Sequence, residues 1–118
     1  MNKNEMKTLI DAVNGDKKFL EKCEKAYGVF PDEVKKILSN NDDNDFIGGW
    51  RVVSESEVLN PEETVHVDFK KKSLIPVADM MDNNFICYDL KNKVWTLFNM
   101  VDKVRLDTRK EIYDYLKH

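Results

Sequence analysis

Asp79 and Asp82 bracket Met80-Met81, and two carboxylates at that spacing could hold a divalent cation or move a proton. No third ligand stands near them. The structural alternative is a turn in which Asp and Asn oxygens accept backbone N–H groups, with Asn83 or Asn84 taking the left-handed conformation. Asn41, Asp43 and Asp45 alternate like the start of a calcium loop. That loop needs glycine at its sixth position and glutamate at its twelfth, where this chain has Phe46 and Val52, so the pattern fails. His66 stands alone on the polar side of an alternating segment, and His118 is the final residue; neither has a Ser, Cys or carboxylate at a catalytic spacing. Gly48-Gly49 lacks the Lys-Ser or Lys-Thr that completes a phosphate loop. Lys70-Lys71-Lys72 could touch phosphate or an acidic partner, but such a triplet also serves as a solvated turn that discourages edge pairing. The residues therefore predict no catalytic group, no cofactor and no metal, and they direct attention to surfaces.

Two tryptophans, Trp50 and Trp95, are candidate partner anchors, because Trp is enriched among interface hot spots. Each sits in an apolar segment, so core packing competes with that role. If no helix covers its face of the sheet, Trp95 forms an exposed patch with Leu97. Cys23 and Cys87 are too few and too far apart for a disulfide framework and read as buried, reduced thiols, which suits a cytoplasmic setting.

What must position these groups is a chain of 118 residues, 42% apolar and 35% charged, with a formal net charge of -3. That length predicts one domain, 1–118, able to hide roughly two-thirds of its unfolded surface. The charge disfavours direct nucleic-acid binding, which calls for a basic face. No apolar run reaches the roughly 18 residues of a membrane span, and Glu5, Lys7 and Asp11 break the N-terminal segment as a secretory signal.

Met6, Leu9, Ile10 and Val13 mark one helical face, closed by Asn14-Gly15. Asp16 caps a second helix carrying Phe19, Leu20, Cys23, Ala26 and Tyr27, which Gly28 ends. Pro31 opens a third, with Asp32 and Glu33 in its first turn, Val34, Ile37 and Leu38 on its apolar stripe, and Lys35 and Lys36 toward water. A polar loop, 40–45, and the Gly48-Gly49 bend lead to a strand at Trp50–Val53. Ser54 and Glu57 match a capping box, and the short helix they start ends near Pro61. Strict alternation from Thr64 to Phe69 predicts a half-buried strand. Leu74–Ala78 follows as a strand in which Pro76 marks an edge or a bulge. Phe85–Leu90, apolar on both faces, is the predicted central strand, and Val94–Met100 its hairpin partner. Lys103–Leu106 adds a last strand, and Thr108 with Glu111 predicts a capped C-terminal helix facing inward through Ile112, Tyr115 and Leu116. Helices, then a meander of strands, then a helix make an α+β domain: an antiparallel, mostly meander sheet of about five or six strands, with N-terminal helices and a C-terminal helix packed on it.

Several of these segments carry a family signature. Phe30-Pro-Asp-Glu-Val-Lys-Lys-Ile-Leu38 resembles the Pro-led helix of the SUKH superfamily, the group named for a yeast cell-wall-synthesis regulator and its bacterial relatives. Gly48-Gly49-Trp50 and the strand Trp50–Ser54, followed by Glu57-Val-Leu59, are similar to that family's first strand and the motif after it. Leu74-Ile-Pro-Val-Ala-Asp79 with Asn84-Phe-Ile-Cys-Tyr-Asp89 resembles its most recognisable block, although 80–84 lacks the usual glycine. The resemblance spans roughly 30–116.

It implies an α+β fold without enzymatic activity. On the bacterial side it implies an immunity protein that neutralises the cognate protein toxin of a polymorphic or contact-dependent system, a nuclease being one such toxin. On the fungal side it implies a regulatory interaction module with a cellular partner. The expected contacts, chosen for charge and exposure, are Asp42, Asp43, Asp45, Asp79 and Asp82, with Trp95 as aromatic anchor. The expected state is a monomer or weak homodimer in the cytoplasm, bound neither to nucleic acid nor to membrane.

Overall fold

The computed structural model describes residues 2–13, 17–41, 46, 47 and 49–115. Asn14, Gly15, Asp16, Asp42, Asp43, Asp45, Gly48, Leu116 and His118, which carry several expectations above, lie outside the described residues.

Three helices come first: α1 (Lys3–Asp11), α2 (Phe19–Tyr27) and α3 (Asp32–Leu38). The Asn2 side chain caps α1 by accepting the Glu5 N–H at 2.9 Å, and Gly28 ends α2 at φ 100°. Met6 and Ile10 of α1 are buried, whereas Leu9 is exposed. Lys35 does not reach into open water. It pairs with Glu24 at 3.0 Å and lies over the Phe30 ring, so its stem tacks α3 to α2.

The sheet is a pure antiparallel meander in chain order: β1 (Phe46–Ile47), β2 (Trp50–Val52), β3 (Leu74–Asp79), β4 (Asn84–Asp89), β5 (Val94–Asn99) and β6 (Val104–Arg109). Only two residues separate Ile47 from its partner Trp50, and Gly49 at φ 89° supplies the backbone this tight hairpin needs. Register shifts in β3 between Pro76 and Ala78, so the proline falls at a bulge. A second bulge leaves Leu106 of β6 without a partner. It twists the outer edge and, with Arg105, Asp107 and Arg109, blunts that edge against further pairing.

Side chains alternate between faces along a strand, yet Phe85, Ile86, Cys87, Tyr88 and Asp89 are all buried. Both faces of the central strand are therefore covered, rather than one. On one face Phe69 stacks with Phe85 at 6.3 Å and meets Phe98 edge-on at 5.3 Å; on the other, Tyr88 meets Trp95 at 5.1 Å. α1 packs on α3 and α2 on α4 (Glu55–Leu59), while α3 and α4 both reach β3. Cys23 and Cys87 are buried free thiols, and burial pushes Cys23 up to about 12 and Cys87 up as well.

Two expected elements take another form. Thr64–Phe69 is no strand: Pro61 opens α5 (Pro61–Thr64), and His66 turns to φ 59°, which breaks any extended run. Val67 and Phe69 are nevertheless buried and His66 exposed, so the alternation reports burial without a ladder. At the C-terminal side, Thr108 pairs with Thr96 inside β6 instead of capping a helix. The predicted helix is a single 3-10 turn, Ile112–Tyr115. Its Ile112 and Tyr115 are buried, the Tyr115 carbonyl accepts the Trp50 indole N–H at 3.2 Å, and Tyr113 donates to Glu33 at 3.3 Å.

Thr96 is fully buried and its hydroxyl has no hydrogen-bond partner among the described residues. A stranded hydroxyl costs its desolvation, whereas a methyl in the same volume costs nothing. Thr96→Val is expected to add about 1 kcal/mol, read as a rise in Tm of roughly 4 °C by calorimetry. An unchanged or lower Tm would mean the hydroxyl is satisfied in solution.

Candidate protein-binding surface

One end of the sheet gathers the turn 80–83, the turn 100–103 and the start of α4. Its local order begins at Ser54. The Ser54 hydroxyl accepts the Glu57 N–H at 3.2 Å and Glu57 accepts the Ser54 N–H at 2.8 Å, completing the capping box expected from sequence. The box aims Glu57 at Arg51. Arg51 donates through both terminal nitrogens to Glu57 at 2.8 and 2.9 Å, and to Asp79 at 2.9 Å. Strand register places Arg51 directly opposite Asp79. All three side chains are largely withdrawn from water, where a bidentate guanidinium–carboxylate pair is strong. Burial pushes the Glu57 carboxyl up, but Arg51 and the Ser54 N–H outweigh it and hold it below its ordinary value; the Arg51 guanidinium is raised, above all by its bond to Glu57.

Asp79 has a second duty. Its other oxygen accepts the Met81 N–H at 2.8 Å, and Asp82 accepts the Asn84 N–H at 3.3 Å. The two aspartates thus organise the turn, as the structural reading of their spacing expected. In place of glycine, Met81 and Asn83 adopt φ 65° and 70°. The Met100 N–H donates to the Asn83 carbonyl at 2.8 Å, and Asn99 donates to the Asn84 side chain at 3.1 Å, joining the two turns.

Between them lies an open groove of about 390 Å³, floored by Val65, Phe85 and Met100, with Met81 at its lip and Glu57, Asp79 and Asn83 along its polar wall. Met81 is 61% and Val101 69% exposed. Asp82 and Asp102 are exposed beside them. Sequence reasoning found Asp79 and Asp82 but not the groove. The available signal was Met80-Met81, two apolar residues inside a turn otherwise made of Asp and Asn. Arg51 was missed because it stands alone between Trp50 and Val52 in an apolar strand.

Trp95 is 3% exposed against Tyr88, and Leu97 is half-buried, so no exposed patch forms there and Trp95 is not presented to a partner. Lys70, Lys71 and Lys72 are exposed in a turn, with Lys72 5.9 Å from the Phe98 ring centre. A second groove, of about 410 Å³, opens at the other end of β4 between Val29, Phe30, Pro31, Tyr88, Leu90 and Lys93. Among the described residues no three His, Cys, Asp or Glu side chains converge as a metal site, and no helix is long and apolar enough to cross a membrane.

A family model described as the SMI1 / KNR4 family (SUKH-1) matches residues 15–117. No curated protein and no solved structure matches the chain.

Proposed function

Because this chain belongs to the SMI1 / KNR4 family (SUKH-1), we propose that it is a non-enzymatic immunity protein that binds and neutralises a cognate protein toxin of a polymorphic or contact-dependent system. The observation that carries the reading is a division of labour among the side chains. Arg51, Glu57, Asp79 and Asp89, charged groups largely withdrawn from water, are engaged in holding turns and strands. Met81 and Val101, by contrast, stand exposed beside Asp82 and Asp102. Such a surface favours recognition over turnover: apolar groups supply contact area, and carboxylates steer a basic partner during encounter. Asp82 belongs to this contact surface. Asp42, Asp43 and Asp45 are kept as further contacts on the ground of their charge in the sequence alone.

The test is co-expression with the product of the adjacent gene. Protection of growth and a one-to-one complex on size exclusion are expected. The double variant Val101→Asp/Asp102→Lys, both changes at exposed positions, is expected to weaken the complex by about a hundredfold at unchanged Tm. No protection and no complex with the neighbouring toxin would overturn the proposal.

A further inference from the structure

We propose that the groove between the turns 80–83 and 100–103 receives a segment of the partner in which an aliphatic side chain stands next to lysine or arginine. The inference rests on the reading that this protein works by binding another protein, and it names the chemistry of the segment bound. The floor selects the aliphatic group: Val65, Phe85 and Met100 present apolar surface at the bottom of the groove. The lip adds Met81, an unbranched and polarisable side chain that moulds itself to irregular apolar partners. The wall selects the cation. Glu57 and Asp79 bring two carboxylates and Arg51 one guanidinium, so the wall keeps one net negative charge after its internal pairing. Asp82, between the lining residues Met81 and Asn83 in the chain, and Asp102, two residues past Met100, are both exposed, and Lys103 follows Asp102. A cationic side chain of the partner meets uncompensated negative charge on approach, while an acidic one is repelled.

Met81 itself distinguishes a binding role from a structural one. At φ 65° a side chain crowds the backbone and glycine is the unstrained choice. Its exposed side chain gives the core little in exchange. A residue kept for stability is damaged by removal. Met81→Gly is instead expected to leave Tm unchanged or raised while weakening binding.

The probes are three peptides: acetyl-KLRLK-amide, acetyl-KGRGK-amide and acetyl-ELDLE-amide, titrated into the labelled full chain and followed by amide chemical shifts. KLRLK is expected to bind about tenfold more tightly than either of the others, with shifts centred on Met81, Asn83, Phe85 and Met100. Met81→Gly is expected to weaken KLRLK by about fivefold. Equal binding of KGRGK would reduce the effect to charge alone and overturn the proposal. Preference for ELDLE, shifts centred on the Val29–Tyr88 groove, full affinity in Met81→Gly, or no shift at about 5 mM peptide would each overturn it too. Peptide binding here without protection against a toxin would retain the groove and remove the immunity reading. Protection without peptide binding would do the reverse.

Discussion

Replacing Asp89 by alanine is expected to lower the unfolding free energy by about 3 kcal/mol, read from urea denaturation at neutral pH. Asp89 is 1% exposed and accepts four hydrogen bonds. One oxygen takes the Lys91 N–H at 2.9 Å and the Asn92 N–H at 3.0 Å; the other takes the Asn92 amide at 2.9 Å and the Arg105 guanidinium at 2.6 Å. These contacts close the β4–β5 turn and fasten β6, two strands away, to the central strand. Alanine leaves three amide donors and the Arg105 guanidinium without this acceptor. Asp89→Asn is instructive beside it, since its NH₂ would face the donors of Asn92 and Arg105. It is expected to cost about 2 kcal/mol.

The same carboxylate gives the protein an acid limit. Burial alone would raise its pKa, but the Asn92 N–H and amide, Arg105 and the Lys91 N–H bring it down to about 2. A folded-state value below the unfolded one means that the contribution is present above the unfolded pKa, near 4. It is lost as pH falls toward 2. Asp89 therefore supplies about 2 kcal/mol at neutral pH that disappears between roughly pH 5 and 2. The Asp89→Asn chain should lack this part of the acid transition. A variant as acid-sensitive as the parent would move the effect to another carboxylate.

Asp89 also shows where the sequence was legible. Its place at the end of the block 84–89, before Lys91-Asn92-Lys93, marked a strand end and a turn, and the structure has both. The run of β3, β4 and β5, the Ser54–Glu57 box and the irregularity at Pro76 were readable for the same reason: each depends on neighbours within a few residues. The misses depend on distant partners. Thr108 and Glu111 have the letters of a capping box, but β5 offered Thr108 a ladder, and pairing prevailed. Trp95 could be read as exposed because nothing local announces that Tyr88, across the ladder, packs edge-on against it. Half of the candidate surface was visible, in Asp79 and Asp82. The groove was not, since Val65, Phe85 and Met100 converge only after folding.

The segment 65–73 carries the last and largest effect. Phe69→Ala is expected to cost about 4 kcal/mol, within the range for emptying a buried aromatic site. Phe69 is fully buried, though it belongs to a turn rather than to a strand or helix. It stacks on Phe85 and meets Phe98 edge-on, and Phe85 and Phe98 are themselves directly paired across β4 and β5. The segment holding Phe69 has few regular bonds of its own: the Phe69 carbonyl accepts the N–H groups of Lys72 and Leu74, each at 3.1 Å. Its position thus depends on the aromatic side chain. The segment 65–69 joins no ladder of the sheet, and burial of Val67 and Phe69 is what fixes it. Phe85, one face of this aromatic trio, also floors the groove, and Val65 begins the same segment. Loss of Phe69 should therefore loosen the groove before the whole sheet unfolds. Hydrogen exchange is expected to quicken at 65–73 and at Phe85 by more than the global loss of stability requires, while α1–α3 follow the global change. Phe69→Leu, which refills most of the volume, should recover more than half of the stability. Uniform acceleration across the chain would show that the segment has no independence, and would remove this link between core packing and the shape of the groove.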